Sequence, residues 1–208
     1  TFVHHAHVAD LLIVAAATDS GTALFAVPRD TRGVTVDPRR LADASLAAQV
    51  DFDIALDADA VIGEGDAPLA RLLAAGRTGV AAELLGIGGG AMDRTIGYLK
   101  ERKQFGVTIG SFQALQHRAA HLYAEMEVAR AAVLNAQQQL DAGDDATEAV
   151  AVAKAMSGLA TTLAVQEGIQ MHGGIGMTDE YDIGFYMKRA RVLAEAFGDA
   201  HFHADALA

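Results

Sequence analysis

The sequence predicts an α+β protein, mostly α: a small antiparallel β segment followed by an antiparallel four-helix bundle. Three observations predict it. Short apolar or alternating runs, punctuated by turn residues, fill residues 1–64. Beyond Gly65 the apolar residues recur at spacings of three and four, the period of one helix face. The long periodic stretches are joined by short breaks at Gly106, Gly143 and Gly173-Gly174, as in antiparallel neighbours of a bundle. The expected division is a β segment over 1–64 and a helical domain over 65–208.

Asp10 to Ala17 is an apolar run consistent with a buried strand, and Asp19-Ser20-Gly21 is a hairpin-type turn. Thr22 to Pro28 reads as the second strand. Arg32-Gly33 turns the chain into Val34–Asp37, and Gln49 to Leu56 alternates, with Val50, Phe52 and Ile54 against Asp51 and Asp53. Four short strands with tight turns predict an antiparallel meander. Asp66 with Pro68 in the first turn starts a helix running to about Lys103. A second helix begins near Ser111, with a seam of Phe112, Leu115, Ala119, Leu122, Met126, Ala129, Val133, Ala136 and Leu140. The third carries an inward stripe of Val152, Met156, Leu159 and Leu163, continued at the same spacing by Gln166 and Gln170. The fourth carries Ile183, Tyr186, Ala190, Leu193 and Phe197, ends at Gly198, and precedes a short terminal helix.

The composition excludes several classes. With no Cys among 208 residues, the chain has no disulfides, thiolate metal sites or Cys nucleophile. A formal net charge of −11 argues against a nucleic-acid partner. No uncharged apolar run approaches the ~20 residues that span a bilayer, so no membrane segment is expected. No Gly-x-Ser-x-Gly elbow supports a serine hydrolase. His4, His5 and His7 near the start, with His201 and His203 near the end, lack further ligands at metal spacing, so no metal is expected. The chain begins at Thr1 without a signal-peptide pattern, which suggests a fragment or processed product; a cytoplasmic location is expected.

Three segments could carry chemistry. Gln170 to Gly176 reads Q-M-H-G-G-I-G: three glycines past a helix end, either a plain C-cap or a loop that lets backbone approach a flat or phosphorylated ligand. Tyr98 to Gln113 clusters basic and aromatic residues where one helix stops and another starts. Ser111 with Arg102 there could hold a phosphate, or Phe105 and Ile109 could simply plug the core. Gly86 to Ala91 fits a G-x-G-x-x-A pattern without a preceding strand, so a dinucleotide fingerprint is rejected in favour of close helix or subunit packing.

Together these segments resemble the acyl-CoA dehydrogenase family. The carrying residues are Tyr98, Glu101-Arg102-Lys103-Gln104-Phe105-Gly106, Ile109-Gly110-Ser111-Phe112-Gln113 and Gln116, then Gln170 to Gly176, Glu180-Tyr181 and Lys188-Arg189-Ala190. Ala9-Asp10, Leu24–Val27 and Gly33-Val34 look like the later half of the family's middle β domain. The likeness covers nearly the whole chain, with no counterpart for the family's N-terminal helical domain or the first half of its β domain. It implies FAD as cofactor, with Arg102, Phe105 and Gln113 matching flavin-nucleotide contacts. Gln170, Gly173 and Gly174 match the loop against the FAD of a neighbouring subunit. It further implies an acyl-CoA substrate, α,β-desaturation, an electron-transfer flavoprotein or similar acceptor, and a homo- or hetero-oligomer, dimer or tetramer.

The sequence departs from that family at the catalytic base. The resemblance puts Gly198 at the usual Glu position, in Phe197-Gly198-Asp199, and Gly76, beside Arg77, at the less common one. Asp199 is the candidate base, although a one-residue shift turns a helical side chain by ~100°, and its other role is a helix cap. Arg77 is a candidate substrate-binding residue or the partner of a nearby acid. Two further readings stand beside a catalytic dehydrogenase: a non-catalytic subunit of a hetero-oligomer, and a purely structural helical bundle.

Overall fold

A computed structural model describes residues 1–208. The chain divides into two compact units, Thr1–Leu73 and Ala74–Ala208, the division falling inside one continuous helix.

The first unit contains β1 (Phe2–His4), β2 (Leu11–Thr18), β3 (Gly21–Pro28), β4 (Val34–Arg40), β5 (Leu46–Phe52) and β6 (Val61–Glu64). The hairpin expected at Asp19-Ser20-Gly21 forms, β2 with β3, and β4 pairs with β5 through residues 41–45, whereas the Arg32-Gly33 turn carries the chain from one sheet to the other. The strands do not make one meander. β1 adds to β5 and β6 adds to β3, giving two three-stranded antiparallel sheets, ordered β1-β5-β4 and β2-β3-β6. Both contribute to one core of Ala6, Leu12, Val27, Ala48 and Val50. The expectation failed because β1 and β6 have 3 and 4 residues, too few to show a period. Gly33 is required where it stands: its φ is +99°, and a Cβ would lie 2.2 Å from the Asp53 carbonyl oxygen.

The second unit is built from α1 (Asp66–Glu101, from Ala74 on), α2 (Gln113–Ala142), α3 (Thr147–His172), α4 (Ile183–Glu195) and α5 (Ala200–Asp205). A two-strand hairpin, β7 (Lys103–Gln104) and β8 (Val107–Thr108), joins α1 to α2. From Leu115 to Leu140 the α2 seam is as read, with Leu122, Met126, Ala129, Val133 and Ala136 buried, but Phe112 precedes the helix and is exposed. Gly143, at φ 79°, closes α2 in a left-handed cap, with its N–H and that of Asp144 donating to the carbonyls of Leu140 and Gln139.

The α3 stripe is a correction. Val152 and Leu159 are 39% and 59% exposed, and Gln166 and Gln170 lie on the same outward side, while Met156 and Leu163 are half-buried against the core. The buried face is instead Val150, Ala153, Ser157, Ala160, Thr161, Ala164, Val165 and Gly168. Small residues win this face because they let neighbouring helices approach closely. The Thr161 hydroxyl donates to the Leu84 carbonyl at 2.7 Å, and a Cβ on Gly88 would stand 2.7 Å from Met126 Cε. Of the four glycines between Gly86 and Ala91, Gly88 and Gly90 are packed in this way, the latter against Tyr186, whereas Gly86 and Gly89 face open space. By length and composition alone the stretch Thr147–Met177 could cross a membrane, but most of its apolar part is buried inside the protein, as in a core helix.

Candidate flavin site and the two ends of the bundle

Helix direction sorts the sequence-predicted residues onto two ends of the bundle. The end of α1, the start of α2, the end of α3 and the start of α4 meet at one; the Gly76 region of α1, the end of α4 and α5 meet at the other.

At the first end the α1–α2 hairpin turns through Phe105 and Gly106, with φ of 57° and 82°. Two consecutive positive φ values are the requirement of a two-residue hairpin turn that matches strand twist. This turn leaves the Phe105 ring 90% exposed, edge-on to Phe112 at 6.1 Å. The hairpin is held against α1: the Ile109 N–H donates to the Arg102 carbonyl at 2.8 Å, and a Cβ on Gly110 would meet the Leu99 carbonyl oxygen at 2.7 Å. The Ser111 hydroxyl donates to the Thr108 carbonyl at 2.7 Å, so it serves the turn. Arg102 and Gln113 are exposed.

The glycine loop sits at the same end. Tyr98, one turn before Arg102 and accepting its N–H at 2.9 Å, packs its ring on His172 at 4.5 Å. His172 immediately precedes Gly173. Its ring is enclosed between Tyr98 and Tyr181, the latter at 4.7 Å. Nδ1 lies 2.6 Å from the Gly168 carbonyl, which accepts only, so Nδ1 carries the proton and the enclosed Nε2 is left with no partner. Gly173 has φ 66° and, like Gly174, has nothing within 4 Å of a Cβ position. Gly176 is different: a Cβ there would lie 2.6 Å from the Ile169 carbonyl oxygen, so it lets the loop fold back on α3. Gln170 is exposed on the last turn of α3.

Arg102, Phe105, Gln113, Gln170, Gly173 and Gly174 therefore share one end and all face outward. They do not close a pocket within one chain. The cleft nearest the loop, about 340 Å³, is lined by Gln166, Ile169, Gly176, Met177, Tyr181 and Phe185 among others, and the Arg102 hairpin is not part of its wall. The residues present fit a dinucleotide: bare glycine backbone for a flat or phosphorylated group, an exposed guanidinium for a phosphate, and an exposed aromatic ring.

The second end is closed. A Cβ on Gly76 would lie 2.8 Å from the Phe197 ring, and one on Gly198, at φ +100°, would lie 2.4 Å from the Phe202 ring. Asp199 accepts the Phe202 N–H at 2.8 Å and so caps α5. That hydrogen bond holds its carboxyl below the usual carboxylate range, helped by His201 and Lys154. Arg77 lies over the Phe202 ring at 5.7 Å, with an enclosed and unpartnered Nε.

Sequence reading missed two residues here. Lys154, 1% exposed on α3, donates Nζ to the carbonyls of Ala194 at 3.0 Å and Gly198 at 2.8 Å. Burial, with Arg77 adding to it and Asp199 and Glu195 opposing, brings its pKa down to about 8. His203 is also 1% exposed, and its Nε2 has no partner. A lone Lys inside the apolar stretch Val150–Leu163 was the available signal for the first. The histidine was weighed only as a metal ligand. No three His, Asp or Glu side chains converge anywhere in the chain.

Comparison with known proteins places this architecture. Residues 63–208 match the family model described as acyl-CoA dehydrogenase, C-terminal domain. The rat (Rattus norvegicus) mitochondrial short/branched chain specific acyl-CoA dehydrogenase is 32% identical over 203 residues, 92% of this chain and 47% of that protein. A variant of the Tcur3481-Tcur3483 steroid ACAD superposes with a TM-score of 0.90 at 31% identity, over 100% of this chain and 56% of that one. The ChsE4-ChsE5 complex from Mycobacterium tuberculosis superposes at 0.90 with 28% identity, over 97% and 55%. The chain spans about half the length of the curated relatives it matches. It belongs to the acyl-CoA dehydrogenase family.

Proposed function

We propose that this chain, a member of the acyl-CoA dehydrogenase family, forms part of an oligomeric FAD protein that desaturates an acyl-CoA thioester between its α and β carbons. One observation carries the reading: the Arg102 hairpin and the Gly173 loop, some seventy residues apart in sequence, are brought to one end of the bundle by the Tyr98–His172 contact. When bound, FAD would supply the redox chemistry. The chain's part is binding and alignment. Arg102 would neutralise phosphate charge, Phe105 and Gln113 would flank the nucleotide, and the open backbone of Gly173 and Gly174 would receive it with Gln170 alongside.

These groups line no common pocket in the single chain, which supports a site completed between protomers. Leu159, Phe105 and Met177, at 59%, 90% and 80% exposure, are large apolar groups that a second subunit would cover. An electron-transfer flavoprotein or similar acceptor would reoxidise the assembly.

A second reading concerns the proton acceptor. The rings of Phe197 and Phe202 occupy the space a side chain at Gly76 or Gly198 would take, and Asp199 is engaged as a cap with a lowered pKa. This favours an assembly in which another subunit supplies the carboxylate that removes the α-proton. The complete protein, purified alone and co-expressed with any neighbouring homologue, tests both readings. Flavin absorbance is expected in the assembled form; a colourless protein that takes up no added FAD overturns the function. Bleaching by acyl-CoAs is expected to survive Asp199→Asn, whereas its loss in that variant with flavin retained would assign the base to this chain.

A further inference from the structure

The closed end holds two buried titratable groups that the proposed function does not use. A helix leaves its last carbonyls without intrahelical partners. At the end of α4 two side chains from other helices take that role. Lys154 of α3 donates to the Ala194 and Gly198 carbonyls, and His203 of α5 hydrogen-bonds the Phe197 carbonyl. Between these anchors the backbone adopts positive φ twice, 59° at Phe197 and 100° at Gly198. For Phe197 this is a disfavoured conformation that persists only where its surroundings impose it.

The charges around His203 come from every element packed on it. Arg77 projects from α1, Lys154 from α3 and Asp199 from the junction, while Glu195 of α4 faces Lys154. Burial first, then Arg77 and Lys154, hold the imidazole below its ordinary value of 6.5. With one ring nitrogen on the Phe197 carbonyl, a second proton would go to Nε2, which is enclosed and has no acceptor. Protonation would thus put a third positive charge beside Arg77 and Lys154 and leave a buried donor unsatisfied.

We propose that Lys154 and His203 are positioning residues for the Phe197–Asp199 junction, and that protonation of His203 releases it. The sign follows from linkage. The folded state binds the imidazole proton less readily than the unfolded state. The imidazole's contribution to the closed junction is therefore fully present above pH 6.5 and is lost as pH falls below it. This goes beyond the flavin reading and does not depend on it.

The test is amide hydrogen exchange of residues 196–205 in the complete protein at several pH values from 8 to 5, corrected for intrinsic exchange. The wild type is expected to lose protection there several-fold below pH 6.5 while α2 and the middle of α3 keep theirs. His203→Gln, which keeps an amide donor but takes no charge, is expected to show little pH dependence. Wild-type protection that does not change with pH, or an equal acid loss in His203→Gln, overturns the proposal. Should that variant fail to fold, the wild-type imidazole followed by NMR must titrate in step with the loss of protection; titration out of step overturns it too. Flavin absorbance of the same samples is read separately: a colourless protein with an acid-released junction sinks the flavin reading and leaves this one standing.

Discussion

At one end of the bundle, Gly173 and Gly174 have nothing within 4 Å of where a side chain would begin; at the other, Gly76 and Gly198 are each pressed by a phenylalanine ring at under 3 Å. The two regions lie roughly 33 Å apart along α1, at 1.5 Å per helical residue. Both use glycine and both contain a buried histidine with a bare Nε2. The open end spends its glycines on exposed backbone that another molecule can reach. The closed end spends them on internal packing, so that a side chain at either position would have to displace a phenylalanine ring. Glycine in a sequence therefore reports that a Cβ is unwelcome there, and only the surroundings say whether a ligand or the protein itself takes the space.

The largest expected effect falls on the closed end. Lys154→Ala would strand two carbonyls and leave a hole in the bundle, and we expect a loss of about 2–4 kcal/mol in urea unfolding. An unfolding midpoint equal to wild type would mean that the Ala194 and Gly198 carbonyls do not need that ammonium.

The same substitution made at both ends sharpens the contrast. Gly198→Ala forces a side chain into the Phe202 ring at positive φ, and should cost roughly 2 kcal/mol. Gly174→Ala should change stability by less than about 1 kcal/mol. It should instead weaken FAD retention on gel filtration of the assembled protein. Equal stability losses at the two positions would erase the distinction between the ends.

Phe105→Ala is the smallest effect on folding, within about 0.5 kcal/mol, because the ring is almost wholly exposed. Its expected consequence is reduced flavin content or a shift toward smaller oligomers by light scattering. A variant with normal flavin and normal assembly would remove Phe105 from the nucleotide site.

Much of the molecule was legible before folding was considered. The α2 seam from Leu115 to Leu140 was read correctly because large apolar residues at three-and-four spacing leave one way to be buried. The β2–β3 hairpin was visible in its Asp19-Ser20-Gly21 turn, whereas the β4–β5 turn at residues 41–45 carries no Gly or Pro to announce it. The α3 face was misread in part because Val152 and Leu159 are the larger apolar residues, whereas the core selected Ala153, Ser157, Ala160 and Ala164 for their size. Lys154 escaped for a related reason: composition says a lysine belongs in water, and only the carbonyls at the end of α4 make burial tolerable.

By itself the sequence determined the class of fold, the order and approximate limits of the four long helices, and the two signatures around Arg102 and Gly173. Local periodicity, turn residues and the glycines past helix ends carry that information within short windows of chain. Tertiary structure alone decided that those signatures share one end, that the strands divide into two sheets, and that Gly76 and Gly198 are filled by aromatic rings. These depend on which residues meet across long separations, as Tyr98 meets His172 and Lys154 meets Gly198. Spacing along the chain carries no record of such meetings.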